Sequence, residues 1–96
     1  MTAPSIFSFR LYVAGESHNS MRAISNLTAL CDDRLKGRHR IEIVDVFGEP
    51  ERAFADRIVM TPTLIRVEPG PLRRIIGTLE QADSVAVSLG FGLSLA

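Results

Sequence analysis

The sequence predicts a small α/β domain with its elements in the order βαβαββα. Three observations support this fold class. First, an alternating apolar run at residues 6–13 precedes apolar residues at three- and four-residue steps and then a second strand-like run, which is typical of a βαβ unit. Second, Pro69-Gly70-Pro71 separates two strand-like segments, as in a hairpin. Third, a helical apolar period follows Gly77.

Length and composition limit the classes of function. The 96 residues are enough for one small domain, predicted to span 1–96. Lys plus Arg and Asp plus Glu number 11 each, so no net charge favours nucleic acid or an anionic membrane. No run approaches the roughly 20 apolar residues of a membrane span, and the N-terminus lacks the basic region of a secretory signal. The only cysteine, Cys31, cannot form an internal disulfide. We expect a cytoplasmic protein.

The first half predicts a strand and then an amphipathic helix. The strand, Ile6 to Val13, places alternate apolar residues on one face, namely Phe7, Phe9, Leu11 and Val13. Asn19 or Ser20 is expected to cap the helix, and Gly37 to end it. The apolar stripe of the helix is Met21, Ile24, Leu27, Leu30 and Cys31.

The second strand, Ile41 to Val46, is nearly continuously apolar around Ile43-Val44. Such a run is typical of a strand covered on both faces, so it is predicted to be parallel and central. Pro50 then suits the first turn of a short helix.

The last part predicts a hairpin and a helix. Pro62 cannot donate to a strand ladder, so it is expected at the first residue or the edge of the strand that follows. Leu72 to Ile76 is predicted to be its antiparallel partner. Thr78 and Gln81 fit a capping box for a final helix, which Gly90 or Gly92 would end.

This element order resembles the thioredoxin-like fold, in which a cis-proline before a strand forms the floor of the active-site groove. Pro62 is the matching cis-proline candidate. The loop that carries the redox cysteines in thioredoxins reads Ala14-Gly15-Glu16-Ser17-His18-Asn19-Ser20 here, without a cysteine. The resemblance therefore implies a groove without redox chemistry, and favours a binding module over an enzyme.

Other candidate chemical groups are weak. Cys31 lies late in the first helix on its apolar stripe, where a thiolate is disfavoured, and is interpreted as a small buried residue. Ser17 and Ser20 open the same helix and are interpreted as caps, the alternative being contacts to a thiol ligand such as glutathione. The two histidines have no second ligand at i+3 or i+4. No cofactor and no metal is predicted.

Arginines offer a candidate docking surface. Arg66, Arg73 and Arg74 lie on the predicted hairpin, and with Arg22 they could form a basic face for an acidic protein surface. The alternative is that edge-strand charges simply prevent edge pairing. Few aromatic residues are available for stacking on bases, so nucleic acid is the less favoured partner.

The whole sequence resembles the KaiB family of clock proteins from about Ile6 to Leu89. The motifs that carry the resemblance are Leu11-Tyr12-Val13-Ala14-Gly15, Asn19-Ser20-Met21-Arg22-Ala23, Val44-Asp45-Val46, Ala55-Asp56-Arg57-Ile58, Thr61-Pro62-Thr63-Leu64 and Pro71-Leu72-Arg73-Arg74-Ile75-Ile76-Gly77. The resemblance implies a non-enzymatic regulator that docks on the N-terminal ATPase ring of KaiC, with KaiA or a clock histidine kinase as further partners. Arg22, Arg66, Arg73 and Arg74 match basic positions linked with that docking.

The resemblance also implies fold switching, between a resting form, usually a tetramer, with a rearranged C-terminal half and a thioredoxin-like monomer that binds KaiC. Family members commonly carry Gly and Asp where this chain has Ser88 and Gly90. Serine inside a helix is better than glycine by roughly 0.5 kcal/mol, which favours the thioredoxin-like form with a C-terminal helix. Two alternatives remain: a sensor or docking domain related to a clock histidine kinase, and a thiol- or glutathione-binding redox domain.

Overall fold

The computed structural model describes residues 6–92, which form one four-stranded sheet with helices on both faces. The elements follow in the predicted order βαβαββα, and the α/β fold class is confirmed. They are β1 (Phe7–Val13), α1 (His18–Arg34), β2 (His39–Asp45), α2 (Pro50–Ala55), β3 (Thr63–Glu68), β4 (Arg73–Ile76) and α3 (Ala82–Leu89). No helix within residues 6–92 is both long and apolar enough to cross a membrane.

The strand order in the sheet is β2-β1-β3-β4. β1 pairs in parallel with β2 and antiparallel with β3, while β3 and β4 form the predicted antiparallel hairpin. The prediction that β2 is parallel is confirmed, but the prediction that it is central is wrong. Only Val44 of β2 is buried, and Ile43 on the other face is 41% exposed. Two adjacent apolar residues therefore do not distinguish an edge strand from a covered one, and the central position belongs to β1 and β3.

The two faces of the sheet carry cores of unequal size. The main core lies under α1 and α3 and contains the four alternate residues of β1 that the sequence predicts, Phe7, Phe9, Leu11 and Val13, together with Leu27, Leu30, Cys31, Leu64, Leu79, Val85 and Leu89. The minor cluster lies under α2 and consists of Tyr12, Val44 and Ile65, with Ala53 and Ile58 packed against it. Most of the apolar burial is thus on the α1 and α3 face.

α1 begins two or three residues earlier than the predicted caps suggest. Ser17 is the N-cap, and its Oγ accepts a hydrogen bond from the Ser20 N–H at 3.3 Å. Ser20 is instead fully buried. The predicted stripe is confirmed for its buried members, but Met21 is 48% exposed, because Ala23 occupies the inner face at this turn. Gly37, at φ 71°, follows the end of the helix.

The capping box predicted at Thr78 and Gln81 is absent. α3 begins at Ala82, Gln81 makes no side-chain cap bond, and the Thr78 hydroxyl donates to Glu80 at 2.7 Å. Leu79 has a positive φ of 63° and inserts into the main core, so this segment buries a leucine before the helix can start. The predicted end is confirmed: Gly90 closes α3 in the left-handed conformation.

Candidate functional site

Four connecting segments meet at one end of the sheet, which we call the carboxyl end. β1, β2 and β4 finish there and β3 starts there, because β3 alone runs in the opposite direction. The Thr61–Pro62 peptide bond is cis, and Pro62 directly precedes β3. Its carbonyl accepts a hydrogen bond from the Gly77 N–H at 3.0 Å, which joins the start of β3 to the end of β4.

The loop between β1 and α1 uses its hydroxyls internally. Ser17 donates to the Ser20 Oγ at 2.8 Å, and the same oxygen accepts from the Ala14 N–H at 2.9 Å. Asp45 Oδ1 accepts from the N–H groups of Gly15 and Phe47, each at 3.0 Å, so one carboxylate anchors two neighbouring loops. These contacts support a structural role for both serines, Ser17 as the helix cap and Ser20 as a buried acceptor that holds the loop.

Cys31 lies away from this loop, within the main core. Burial, and secondarily the charge of Asp32, raises the pKa of its thiol to about 12. A thiol with this pKa carries almost no thiolate at neutral pH, which removes the nucleophile that redox chemistry needs. Among residues 6–92, no three His, Cys, Asp or Glu side chains are grouped as a metal site would require.

Several exposed apolar side chains belong to the segments that adjoin the carboxyl end. Phe47 follows β2, Val59 and Met60 precede Pro62, and Ile76 ends β4, all exposed. Phe54, on α2 between two of these segments, is 87% exposed. We call these five residues the apolar surface. Single exposed apolar residues are ordinary, whereas a contiguous group of them is typical of an interaction surface, so these five residues are candidates for one.

Beneath α2 lies a polar cluster that the sequence analysis did not identify. We call it the α2 network, and it consists of Arg10, Tyr12, Glu42, Arg52 and Asp56. The Tyr12 hydroxyl lies 2.5 Å from Asp56 Oδ2 and 3.1 Å from the Arg52 carbonyl. Arg10 contacts Asp56 at 3.0 Å and Glu42 at 3.1 Å, and Arg52 contacts Glu42 at 2.6 Å. The network therefore joins β1, β2 and α2.

The hydrogen bonds that reach Asp56 and Glu42 stabilise the charged forms of these two carboxylates. The Tyr12 hydrogen bond, followed by that of Arg10, holds the pKa of Asp56 below its ordinary value. Burial and the bond to Asp56 raise the pKa of Tyr12, so the phenol keeps its proton and remains the donor. Hydrogen bonds from Arg52 and Arg10 lower the pKa of Glu42 to about 2.

The low pKa of Glu42 predicts acid sensitivity. Because its folded-state pKa is below the ordinary value of 4.5, its stabilisation is complete above about pH 4.5 and is lost as the pH falls towards 2. We expect the difference in free energy of unfolding between the wild type and Glu42→Gln to shrink through this range. Urea unfolding at a series of pH values measures it. A difference that stays constant from pH 6 to pH 2 would contradict the prediction.

The four arginines proposed for docking do not lie on one face. Arg66 is 6% exposed and points into the α1 and α3 side, where its guanidinium donates to the carbonyls of Leu89 and Pro71, each at 2.7 Å. Its Nε is buried and has no hydrogen-bond partner among the described residues. Arg66 is therefore an internal residue that fastens the end of α3 to the hairpin.

The other three arginines are accessible but differ in their surroundings. Arg73 is exposed and lies directly opposite Arg66 in the β3–β4 ladder. Arg74 points to the α2 side and donates to the Asp56 carbonyl at 2.6 Å. Arg22, on α1, forms an ion pair with Glu80. The sequence places these residues on accessible positions, but it does not reveal that two of them are already bonded within the chain.

Comparison with known proteins identifies the family. The family model described as KaiB domain matches residues 10–91. A circadian clock oscillator protein KaiB of Prochlorococcus marinus (strain MIT 9312) is 39% identical over 89 residues, which cover 93% of this chain and 85% of that protein. The chain belongs to the KaiB family. The circadian clock protein KaiB3 of Synechocystis is 41% identical to this KaiB family member over 80 residues, 83% of this chain and 78% of that one.

Solved structures show the fold of this KaiB family member. The N-terminal domain of Synechococcus elongatus SasA matches with a TM-score of 0.74 at 16% identity, covering 100% of this chain and 94% of that one. Chloroplastic thioredoxin z matches with a TM-score of 0.71 at 18% identity, covering 92% of this chain and 81% of that one. The fold is therefore thioredoxin-like, as the sequence analysis predicts, in the arrangement with a C-terminal helix.

Proposed function

We propose that this KaiB family chain is a non-enzymatic regulator that docks on the ATPase ring of a KaiC-type protein and modulates clock or clock-like signalling. The observation that carries the proposal is the apolar surface at the carboxyl end. Thioredoxins hold their redox cysteines at this end, whereas residues 14–20 of this chain contain none and Cys31 is buried. The site keeps accessible apolar contact groups and has no nucleophilic thiol, which suits binding better than catalysis.

Further parts of the proposal rest on the family resemblance and, for the cytoplasmic location, on the composition. KaiA or a clock histidine kinase would be additional partners, and the thioredoxin-like form described above would be the monomeric, binding-competent one, active in the cytoplasm as a single domain over residues 1–96. Arg22, Arg73 and Arg74 would supply basic contacts, with Arg66 supporting them from inside. Ser88, within α3, and Gly90, which closes that helix, would set the balance against a tetrameric resting form.

The sharpest test is Phe54→Ala. Because the Phe54 side chain is 87% exposed, its removal is expected to change the free energy of unfolding by less than about 0.5 kcal/mol. A buried aromatic anchor in an interface contributes about 2 kcal/mol or more, so affinity for the purified KaiC-type ring is expected to fall at least about thirtyfold. Calorimetric or fluorescence titration of the ring measures the affinity, and urea unfolding measures the stability.

Val87→Ala is the matched control, because Val87 is also an exposed apolar residue but lies on α3, on the opposite face of the sheet. It is expected to bind the ring with unchanged affinity. If the wild-type chain does not bind the ring at all, the proposed function is wrong. If Phe54→Ala and Val87→Ala lose equal affinity, the apolar surface is not the docking site.

A further inference from the structure

α2 has little of the burial that usually holds a helix on a sheet. It is six residues long, none of them is buried, and its N-cap residue Glu49 makes no side-chain cap bond. A helix of this length is not stable on its own in water. Its apolar attachment is limited to Ala53, with Ile58 just beyond its end, against the minor cluster. Something other than apolar burial must therefore position it.

The polar contacts beneath α2 supply that attachment. Tyr12 and Arg10 from β1 hold Asp56 at the C-terminal end of the helix, and Glu42 from β2 holds Arg52 within it. Arg74 from β4 adds hydrogen bonds to the carbonyls of Asp56 and Arg57, the first at 2.6 Å and the second at 3.2 Å. Partly exposed side chains from three strands thus hold one short helix in place through hydrogen bonds and ion pairs.

We propose that α2, which carries Phe54, is a separately releasable element that the α2 network holds on the sheet and that can open while the rest of the fold stays intact. Its role in docking rests on the proposed function, whereas the opening itself is a property of the free chain. The side chains of the network's ion pairs are partly exposed, by 28% to 47%, and such pairs are weak and are screened by salt. The main core lies on the opposite face, so α2 can leave the sheet while that core stays intact.

Amide hydrogen exchange on the free, full-length protein tests this inference. Three amides report on α2: Ala53, Asp56 and Ile58 donate to the carbonyls of Glu49, Arg52 and Ala53 at 3.3, 3.0 and 2.9 Å. We expect them to exchange at least about tenfold faster than the amides of β1, and to accelerate further at high salt while β1 does not. Tyr12→Phe, which removes one hydroxyl and keeps the ring, is expected to accelerate them at least about fivefold more.

Two further variants keep the test decisive. Glu42→Gln, at a half-exposed position, removes the charge that pairs with Arg10 and Arg52 and is expected to accelerate α2 exchange as Tyr12→Phe does. This variant provides the test if Tyr12→Phe does not fold. Arg34→Gln breaks a comparable ion pair, to Asp83 on the α1 and α3 face, and is expected to leave α2 exchange unchanged.

Each outcome is decisive. Exchange of the α2 amides at the same rate as β1 in the wild type overturns the inference, as does a Glu42→Gln variant that accelerates all amides equally. Because no partner is present in these experiments, their result is independent of docking. If the α2 amides exchange fast but the chain does not bind the KaiC-type ring, the inference that α2 is releasable is supported and only the proposed function is wrong.

Discussion

Replacing Arg66 with alanine is expected to lower the free energy of unfolding by about 3 kcal/mol, since each hydrogen bond to a charged group contributes roughly 1.5–3 kcal/mol. The change removes two 2.7 Å hydrogen bonds and leaves the carbonyls of Leu89 and Pro71 without their donor. Removal of a buried charge that has no carboxylate partner among the described residues offsets part of this loss. Chemical denaturation followed by circular dichroism measures the difference.

Arg73→Ala is the matched control for this prediction. Arg73 lies directly across the ladder from Arg66, but it is exposed, so its removal is expected to change stability by less than about 0.5 kcal/mol. Equal losses from both variants would show that charge on the hairpin, and not the internal bonds of Arg66, stabilises the fold. If Arg66→Ala left the free energy of unfolding unchanged, the cost of burying the Arg66 charge would equal the stabilisation from its hydrogen bonds.

Gly90→Ala is expected to destabilise the protein by about 2 kcal/mol, of which roughly 1 kcal/mol is the cost of a left-handed conformation for a residue with a Cβ. Gly90 closes α3 at φ 91°. The added Cβ would also lie 2.9 Å from the Arg66 Nη1, which is held in place by its bond to Leu89. The conformational cost and the close contact with Arg66 both arise at the C-terminal end of α3. Urea or thermal unfolding measures the loss.

Gly37→Ala separates the two costs. Gly37 has a similar positive φ of 71°, but an added Cβ there has no heavy atom within 4 Å. It is expected to lose only the conformational part, about 1 kcal/mol. In an Arg66→Ala background, the stability lost through Gly90→Ala is expected to be only this conformational part, because the close contact with Arg66 no longer exists. Equal losses from Gly37→Ala and Gly90→Ala in the wild-type background would refute the contribution of the Arg66 contact.

The sequence predicts well those parts of the fold that depend on local periodicity. Alternation in β1 correctly places Phe9 and Leu11 in the main core, and Gly90 correctly ends α3. Prediction from the sequence fails where a short pattern is compatible with two different structures. Ile43-Val44 fits an edge strand as well as a covered one, and the Thr78 capping pattern loses to the burial of a leucine that local propensity does not anticipate.

The candidate site is less predictable, because its contacts join distant parts of the chain. Tyr12 and Asp56 meet across 44 residues, and neither is adjacent in sequence to a residue that would reveal the pairing. Arg66 has the sequence context of a surface arginine, yet it is buried because it bonds a carbonyl 23 residues away. The exposure of Phe54 is likewise not evident from the sequence, because it depends on which face of α2 packs against the sheet, and Ala53 occupies that face.

The buried thiol of Cys31 gives the chain a built-in reporter of opening. Cys31 is fully buried on the inner face of α1, so a thiol-specific reagent cannot reach it while α1 is packed on the sheet, and its pKa of about 12 keeps it unreactive in that state. Its rate of modification in native buffer therefore counts the openings of the main core and ignores those of α2, which lies on the other face. One natural residue thus allows the timing of core motions to be followed in solution without an engineered cysteine.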